Sequence, residues 1–420
     1  MTYSDEVEVR GLVGLEPCSS FQEVIDLKVF PKGLVEFMRK TKSFDAPSVI
    51  QAYCWPLLMQ GHDVIGVAKT GSGKTLAFLL PGFIKIRDDL KSGYTDCERD
   101  GPALLVVAPT RELVQQIYEE SVTFGKPVGI LTACAYGGEK KYLQITRFRQ
   151  HPHVLAACPG RLNDFLDTRE IFLTQCHYLV LDEADRMLDM GFERELTQTL
   201  THLPRQRRNN TCLFSATWPT EVQNLSRQYT ENPIQILVGS QESGYSANAD
   251  IEQAVELVSN SREKLNIVLR ILENRIKPLA RDVPQRNCLI FCNTKRNCDW
   301  LANDLASKQI PCCVLHGDLD QGARDQSLRN FKEERVRVMV ATDVCARGLD
   351  VRNIAVVINY DASQHPEQYV HRIGRTGRAG DKGYAVSLLE PGDRHVAQAI
   401  MKTMVQSGQS ISDEFQRFLH

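Results

Sequence analysis

The sequence lacks the long apolar runs, the excess of one charge and the low-complexity tracts that mark several classes of protein. No apolar run in its 420 residues reaches the roughly 18 residues of a membrane span. The N-terminal stretch lacks the apolar core of a signal peptide, so we expect an intracellular protein, nuclear or cytoplasmic. The formal charge of −2 excludes a histone-like polycation, and any nucleic-acid binding must use a local basic surface.

Cysteine spacing shows no pattern either. The 13 cysteines are odd in number and irregularly spaced, unlike a secreted disulfide framework. Cys288, Cys292 and Cys298 come closest to a metal cluster, but the first two lie inside an apolar run, as small buried hydrophobes commonly do. We therefore expect reduced cysteines and no cysteine-bound metal.

Short apolar runs, each followed by a polar turn and a helix-like segment, recur in two series of about five, at 63–217 and 287–390. Such strands alternating with helices are typical of parallel sheets covered by helices on both faces. The chain length favours two tandem RecA-like α/β domains over one giant sheet. We predict domains at 1–240 and 251–420, joined by the polar linker 241–250, which contains glycine and serine.

The first apolar run leads directly into a phosphate-binding loop, AKTGSGKT, followed by an apolar helix pattern. Its glycines let backbone N–H groups face phosphate oxygens, and the helix N-terminus adds a positive dipole end. Lys74 would reach the β- and γ-phosphates, and the Thr75 hydroxyl would bind Mg²⁺. The strict pattern begins with glycine, where this chain has alanine. The residues expected to bind nucleotide are Ala68, Thr70, Gly71, Ser72, Gly73, Lys74 and Thr75.

Four residues of sequence DEAD, at 182–185, follow the apolar run HYLVL. Three of them are acidic (Asp182, Glu183 and Asp185), and the segment is here called the acidic tetrad. Strand carboxyl ends face the ligand crevice of an α/β sheet, so these carboxylates can meet a metal bound at the phosphate loop. Asp182 suits metal binding, and Glu183 suits positioning and deprotonating the attacking water. Such a cluster is otherwise often a helix N-cap or a solvated face, but the phosphate loop upstream favours the functional interpretation.

The second half has no phosphate loop but carries HRIGRTGR at 371–378, with three arginines in eight residues. This density indicates that the second domain supplies cations to the γ-phosphate of ATP, as an arginine finger in cis. A general anion or RNA patch is the other interpretation, and the two are compatible.

Together these motifs resemble those of the DEAD-box RNA helicases in identity and order, over about residues 21–415. SATWP, LDMGF and QQIYEE resemble its p68/Dbp2-like branch. The matching motifs are AKTGSGKT (68–75), PTREL (109–113), PGR (159–161), DEAD (182–185), SAT (215–217), TDVCARGLD (342–350) and HRIGRTGR (371–378), with PSVIQ (47–51) similar to the adenine-reading segment 21–51.

The resemblance implies ATP and Mg²⁺ as ligands. Gln51 would read adenine, Asp350 would lie near the ribose, and Arg375 and Arg378 would contact the γ-phosphate, completing the catalytic set with Lys74, Asp182 and Glu183. Ser215 and Thr217 would couple hydrolysis to strand separation. Asp185 and His371 would make contacts across the cleft between the two domains.

The resemblance also implies RNA as the partner, bound largely through phosphate and 2′-hydroxyl contacts and therefore tolerant of sequence. We expect a monomer whose RNA is chosen by a protein partner or by segments outside this sequence. The implied RNA contacts are Thr110, Arg111, Gly138, Arg161, Asn293, Gly317, Gln321, Arg324 and Thr342.

Two departures from the family pattern concern binding residues. Cys158 replaces the threonine of TPGR, which removes a hydroxyl near the RNA backbone. Phe21 is the residue that we expect to stack on adenine, although it lies farther upstream of Gln51 than the stacking aromatic of the family does; an insertion would account for the difference.

The sequence thus predicts an ATP-dependent RNA helicase that locally unwinds duplexes or remodels RNA–protein complexes. One alternative is an ATP-gated RNA clamp that hardly unwinds, which a duplex-release assay separates. Another is a double-stranded-DNA translocase, which the resemblance argues against.

Overall fold

Two compact units, residues 1–240 and 241–420, make up the chain. The division falls where the predicted linker begins, although the helicase-domain limits themselves stay a prediction. The computed structural model describes residues 7–11, 14, 16–42, 44–69, 71–204, 210–239, 250–276, 286–343, 351, 354–363, 365–377 and 382–419.

The first unit is built on an eight-stranded sheet of order β1-β8-β2-β7-β6-β3-β5-β4. β1 pairs antiparallel with β8, and the other neighbours pair in parallel. Its strands are β1 (Val7–Arg10), β2 (Val64–Val67), β3 (Leu104–Val107), β4 (Thr132–Ala135), β5 (Val154–Ala157), β6 (Tyr178–Leu181), β7 (Asn210–Ser215) and β8 (Ile234–Val238).

Successive residues of the central strands belong to different hydrophobic clusters. Val64 and Leu104 lie in one cluster, whereas their neighbours Ile65 and Leu105 lie in the other. Since side chains alternate along a strand, each face of the sheet carries its own core. The helices of this unit are α1 (Phe21–Asp26), α2 (Lys32–Lys42), α3 (Val49–Met59), α4 (Lys74–Ser92), α5 (Cys97–Asp100), α6 (Arg111–Gly125), α7 (Lys141–Phe148), α8 (Pro159–Asp167), α9 (Ala184–Asp189), α10 (Glu193–Thr201) and α11 (Thr220–Tyr229).

The second unit has a six-stranded parallel sheet of order β11-β12-β10-β13-β14-β9, again between two hydrophobic clusters. The predicted class, two α/β domains with parallel sheets covered on both faces, is confirmed. The strands are β9 (Ile251–Leu257), β10 (Asn287–Cys292), β11 (Cys312–Leu315), β12 (Val338–Thr342), β13 (Ile354–Asn359) and β14 (Gly383–Leu389), and the described helices are α12 (Ser261–Arg275), α13 (Lys295–Ser307), α14 (Gln321–Lys332), α15 (Pro366–Ile373), α16 (Arg394–Gln406) and α17 (Asp413–Leu419).

Several helices begin at a side chain that accepts a backbone N–H from the first turn. Ser20, Thr110, Asn260, Thr294 and Asp320 each cap a helix in this way. Such caps satisfy N–H groups that have no partner within the helix. Among the described helices, none is both long enough and apolar enough to cross a membrane.

The order of strands places the motifs of the first unit at one edge. The sheet order sets β2, β7 and β6 side by side, and they run in parallel. The phosphate loop follows β2, Ser215 ends β7, and Asp182 follows β6. All three segments therefore meet at the carboxyl edge of the sheet, where α/β folds bind ligands.

Candidate nucleotide and RNA sites

The phosphate loop owes its shape to two glycines with positive φ. Gly71 has φ +82°, and Gly73, which immediately precedes α4, has φ +92°. Residues with a side chain rarely adopt this region, so glycine is required at both positions. Ala68, at the start of the loop, is buried and donates its backbone N–H to the carbonyl of Ser215. Thr70 lies outside the described residues.

Lys74 lies inside the curve of the loop. Its Nζ donates to the backbone carbonyls of Ala68, at 2.5 Å, and Lys69, at 3.1 Å. The side chain is buried, with 8% of its surface exposed. A lysine held in this way presents a cation where the phosphate loop ends, as phosphate binding requires.

Gln51 is held by its own segment and by the phosphate loop. Its Oε1 accepts from the backbone N–H of Ser48, and its Nε2 donates to the carbonyl of Gly73, each at 3.0 Å. A primary amide carries two donor hydrogens and an oxygen with two lone pairs. These two bonds use one donor hydrogen and one lone pair of the amide. One donor and one acceptor therefore remain, and adenine is recognised by such a pair.

Asp182 is almost fully buried, and burial raises the pKa of its carboxyl to about 7, although nearby Lys74 acts in the opposite direction. Removing the carboxylate from water disfavours its charged form. The charge of Lys74 reaches Asp182, and Thr75 is the next residue in the chain. A carboxylate and a hydroxyl are both oxygen ligands, the kind that Mg²⁺ prefers.

Glu183 adopts the left-handed region, with φ +53°, between β6 and α9. Its backbone N–H donates to Oδ1 of Asp182 at 3.0 Å. Its side-chain Oε2 is buried and, within the described part of the chain, has no hydrogen-bond partner. Strained backbone and an unsatisfied buried oxygen both cost free energy, and such features concentrate at functional sites.

Asp185 joins the acidic tetrad to the SAT segment within the first unit. Its Oδ2 accepts from the backbone N–H groups of Ala216 and Thr217, at 3.2 and 3.0 Å, and from the Thr217 hydroxyl at 2.8 Å. Ser215 Oγ, next to them, is buried without a partner among the described residues. The predicted coupling residues Asp185, Ser215 and Thr217 therefore lie together. A contact of Asp185 across the cleft stays a prediction.

Three of the four RNA-contact residues predicted in the first unit lie in or against one turn, at residues 136–139, and the fourth, Thr110, precedes Arg111. Thr110 caps α6, and the guanidinium of Arg111 lies 4.7 Å from the ring centre of Tyr136. Arg161 donates to the carbonyl of Glu139 at 3.0 Å, and Gly138, with φ +86°, is exposed between these two contacts. The turn at 136–139 thus joins three predicted RNA-binding segments.

In the second unit, Asn293 connects several segments. Its amide donates to the carbonyl of Ala362, and its backbone N–H donates to the carboxylate of Asp361. Arg324 donates to the carbonyl of Gly317 at 2.6 Å, which joins two further predicted RNA contacts. Thr342 ends β12, and Gln321 begins α14, although the Gln321 side chain is not described.

The HRIGRTGR motif contains a residue with a role that the sequence did not reveal. Arg372 is 1% exposed and forms a bidentate pair with Asp343, at 2.8 and 2.5 Å. It also donates to Oδ1 of Asn293 and to the carbonyl of Asp361. The first arginine of the motif therefore stabilises its own unit. Its spacing from Tyr369 and Ile373, which gives three buried residues at i, i+3 and i+4 of one helix, is the signal that could have suggested this.

The remaining predicted phosphate contacts are only partly described. Arg375 is buried, and its Nε donates to the carbonyl of His371 at 3.2 Å. His371 is itself 9% exposed. Arg378 and Asp350 lie outside the described residues, so their roles stay predictions.

Phe21 lies in the hydrophobic core rather than at a surface. It is 4% exposed, and its ring stacks on Trp55 at 6.5 Å between ring centres. Phe44, which sequence reasoning did not single out, is 36% exposed and much closer in sequence to Gln51. Burial of Phe21 gives no support to its predicted stacking on adenine, which stays a prediction.

Family models match both units. The DEAD/DEAH box helicase model matches residues 48–225, and the helicase conserved C-terminal domain matches 263–380. ATP-dependent RNA helicase DBP2 of Debaryomyces hansenii is 42% identical over 96% of this chain and 72% of its own length. The chain belongs to the DEAD-box family of ATP-dependent RNA helicases. The predicted family is confirmed, and the similarity to DBP2 agrees with the p68/Dbp2-like branch.

Two further similarities extend over nearly all of this DEAD-box chain. DEAD-box ATP-dependent RNA helicase 30 of Arabidopsis thaliana is 41% identical over 97% of the chain. The chain spans 65% of the length of that relative and 72% of the length of DBP2. The solved structure of S. cerevisiae Dbp5 bound to RNA and ADP BeF3 is 26% identical, with a TM-score of 0.78, over 96% of this chain and 100% of that one.

Proposed function

We propose that this DEAD-box chain is an RNA-dependent ATPase that binds RNA and locally separates short duplexes or remodels RNA–protein complexes. Family membership supports this activity, and the Dbp5 structure shows that a protein of this fold binds RNA together with a nucleotide analogue. The surface that joins Arg111, Gly138 and Arg161 supports RNA as the ligand of this chain as well.

The nucleotide site would hold ATP through the phosphate loop and Gln51. Lys74 would bind the phosphates, and Thr75 and Asp182 would hold Mg²⁺. When bound, Mg²⁺ neutralises developing charge on the phosphate oxygens. The position of Asp182 supports this assignment, because it directly follows β6 at the edge of the sheet where the phosphate loop follows β2.

The observation that carries the proposed hydrolysis is the buried Oε2 of Glu183, which has no partner in the described part of the structure. A water molecule would satisfy this oxygen, and the carboxylate would orient that water and accept its proton. The bond from the Glu183 backbone to Asp182 keeps the proposed base next to the proposed metal ligand.

The second unit would complete the reaction by supplying Arg375 and Arg378 to the γ-phosphate. An arginine finger stabilises the charge of the transition state, and it acts only when it reaches the nucleotide. RNA that binds both units would favour this arrangement and so raise the ATPase rate. By the reciprocity of linked binding, ATP would then tighten RNA binding. A protein partner and a monomeric state stay predictions.

Steady-state ATPase assays with and without single-stranded RNA test the proposal. We expect RNA to raise turnover, and DNA of the same sequence to raise it much less. A rate that RNA leaves unchanged would contradict the proposed function. A stronger response to double-stranded DNA would favour a translocase instead.

A duplex-release assay then separates a helicase from a clamp. A helicase should release the short strand of a labelled RNA duplex when ATP is added. A clamp would hold RNA tightly in the presence of ATP and release almost no strand.

A further inference from the structure

The turn at 136–139, here called the glycine turn, follows β4 and contains Gly137 and Gly138. Both glycines are exposed, and Gly138 has a positive φ of +86°. Glycine restricts the backbone less than any other residue, so contacts from other segments matter for the shape of this turn.

Gln144, on α7, is a buried residue whose side-chain amide forms hydrogen bonds with the backbone of this turn. Its Oε1 accepts from the backbone N–H of Tyr136 at 3.1 Å, and its Nε2 donates to the carbonyl of Tyr136 at 3.0 Å. The same Nε2 lies 3.4 Å from the carbonyl of Glu139. One amide therefore contacts both ends of the glycine turn, and the Gln144 side chain is fully buried.

The other contacts of the turn act on one end at a time. Arg147 binds the Glu139 carboxylate with two bonds of 2.7 Å, and this pairing holds the pKa of Arg147 above its usual range. Arg161 binds the Glu139 carbonyl, whereas Gln115 binds the Tyr136 hydroxyl. These contacts position the residues around the turn, but none of them spans it.

An apolar side chain in place of the Gln144 amide would leave the N–H and carbonyl of Tyr136 without these bonds in a buried site. Unsatisfied buried backbone groups are costly, so the turn would shift toward conformations in which water reaches them. Gly138 and the Glu139 carbonyl that holds Arg161 would move with it. The nucleotide site would be unaffected, since Gln144 contacts none of its residues in the described structure.

We propose that Gln144 is a positioning residue for RNA: it holds the glycine turn in the shape that presents Gly138 and Arg161 to the RNA backbone. This inference rests on the proposed RNA-binding function. It assigns to Gln144 an effect on RNA affinity that is separable from ATP binding.

The test compares Gln144→Met with Gln150→Met. Methionine has a similar length but lacks the amide, and Gln150 is an exposed residue just beyond α7. The RNA concentration that half-maximally stimulates ATPase should rise about tenfold in Gln144→Met and stay unchanged in Gln150→Met. The maximal rate at saturating RNA and the affinity for a fluorescent ATP analogue should remain close to those of the unmodified chain.

Gln144→Glu serves as a second variant if Gln144→Met does not fold. It keeps an acceptor for the Tyr136 N–H but loses the donor hydrogens, so it should also weaken binding of a labelled oligouridine. Equal oligouridine binding by Gln144→Glu and the unmodified chain would overturn the inference. So would a parallel loss of RNA and ATP-analogue affinity in a folded variant, because that would indicate a general structural role.

The inference and the proposed function fail in different ways. If RNA stimulates the unmodified chain and both Gln144 variants behave like Gln150→Met, only the role of Gln144 is wrong. If the unmodified chain neither binds oligouridine nor responds to it, the RNA-dependent function is wrong, and the role of Gln144 falls with it.

Discussion

The two units have similar architectures, yet a buried charged residue near the predicted site of each unit is paired to a different extent. In the first unit, Asp182 is buried with a raised pKa, and the buried Oε2 of Glu183 has no partner among the described residues. In the second unit, buried Arg372 is matched by Asp343 and by the oxygens of Asn293 and Asp361. An unsatisfied buried oxygen next to a predicted metal ligand is consistent with a site that binds a ligand, whereas the fully paired Arg372 stabilises the fold of its own unit.

A second difference, between a neutral and a charged group, concerns the predicted RNA surfaces. A neutral amide, Gln144, holds the glycine turn of the first unit, and a buried ion pair holds Asn293 in the second. The neutral amide avoids the cost of burying a charge, whereas the ion pair must be complete to be stable. The two units should therefore respond differently when a single partner is removed.

The largest expected effect is that of Arg378→Ala. This variant tests whether the second unit supplies an arginine to the γ-phosphate of the nucleotide bound by the first unit. Loss of a finger typically lowers the rate by about 10³-fold or more. RNA-stimulated ATPase should fall by this order, measured at steady state with saturating single-stranded RNA. The control is Arg335→Ala, which removes an exposed arginine of the same unit. Equal rates for the two variants would rule out the finger.

Glu183→Gln should lower ATP turnover by about 10²–10⁴-fold, because the amide cannot accept the proton of the attacking water. Affinity for a fluorescent ATP analogue and the melting temperature should change little, since Oε2 has no partner in the described structure to lose. Glu170→Gln, at an exposed position of the same unit, is the control. Near-normal turnover in Glu183→Gln would contradict its role as the base.

Arg372→Met should destabilise the second unit by about 3–5 kcal/mol, because it removes the guanidinium from a buried bidentate ion pair with Asp343. Thermal unfolding followed by circular dichroism measures this loss, which added ATP should not restore. Arg270→Met, which breaks an exposed pair with Glu256, should cost at most about 1 kcal/mol. Similar melting temperatures for the two variants would show that the buried network is not needed for stability.

The smallest expected effect concerns base choice. The unmodified chain should prefer ATP to GTP, and Gln51→Ala should reduce that preference about tenfold, since a bidentate pair contributes about 1–3 kcal/mol of discrimination. The measurement is the ratio of kcat/KM for the two nucleotides, with Gln60→Ala, an exposed position at the end of the same helix, as the control. Equal use of ATP and GTP by the unmodified chain would contradict adenine reading.

Local sequence was enough to predict the fold class and the nucleotide site. The apolar runs around Val64, Leu104 and Tyr178 are buried strands, and the phosphate loop and acidic tetrad follow them directly. Because parallel strands share an orientation, residues that follow them meet at one edge without any knowledge of distant contacts. The functional roles of these residues stay predictions.

The number of strands was predicted less well, since the sheets have eight and six strands where about five each were expected. The strands missed were β1, β4, β8 and β9. Val7–Arg10 and Thr132–Ala135 are four residues long and lie at sheet edges, and Ile251–Leu257 mixes polar with apolar residues instead of forming a continuous apolar run. Such segments form strands because an adjacent strand pairs with them, and strand propensity depends strongly on that context.

The sequence by itself therefore determined what depends on short-range order: the continuous apolar strands, the position of the phosphate loop and the carboxylates that follow the strand HYLVL. Only the tertiary structure decided which buried polar groups are partners, such as Gln144 with the glycine turn and Arg372 with Asp343. These choices depend on distance and geometry between segments far apart in the chain. A buried glutamine or arginine has the same letter in the sequence whether it contacts a ligand or holds the fold together.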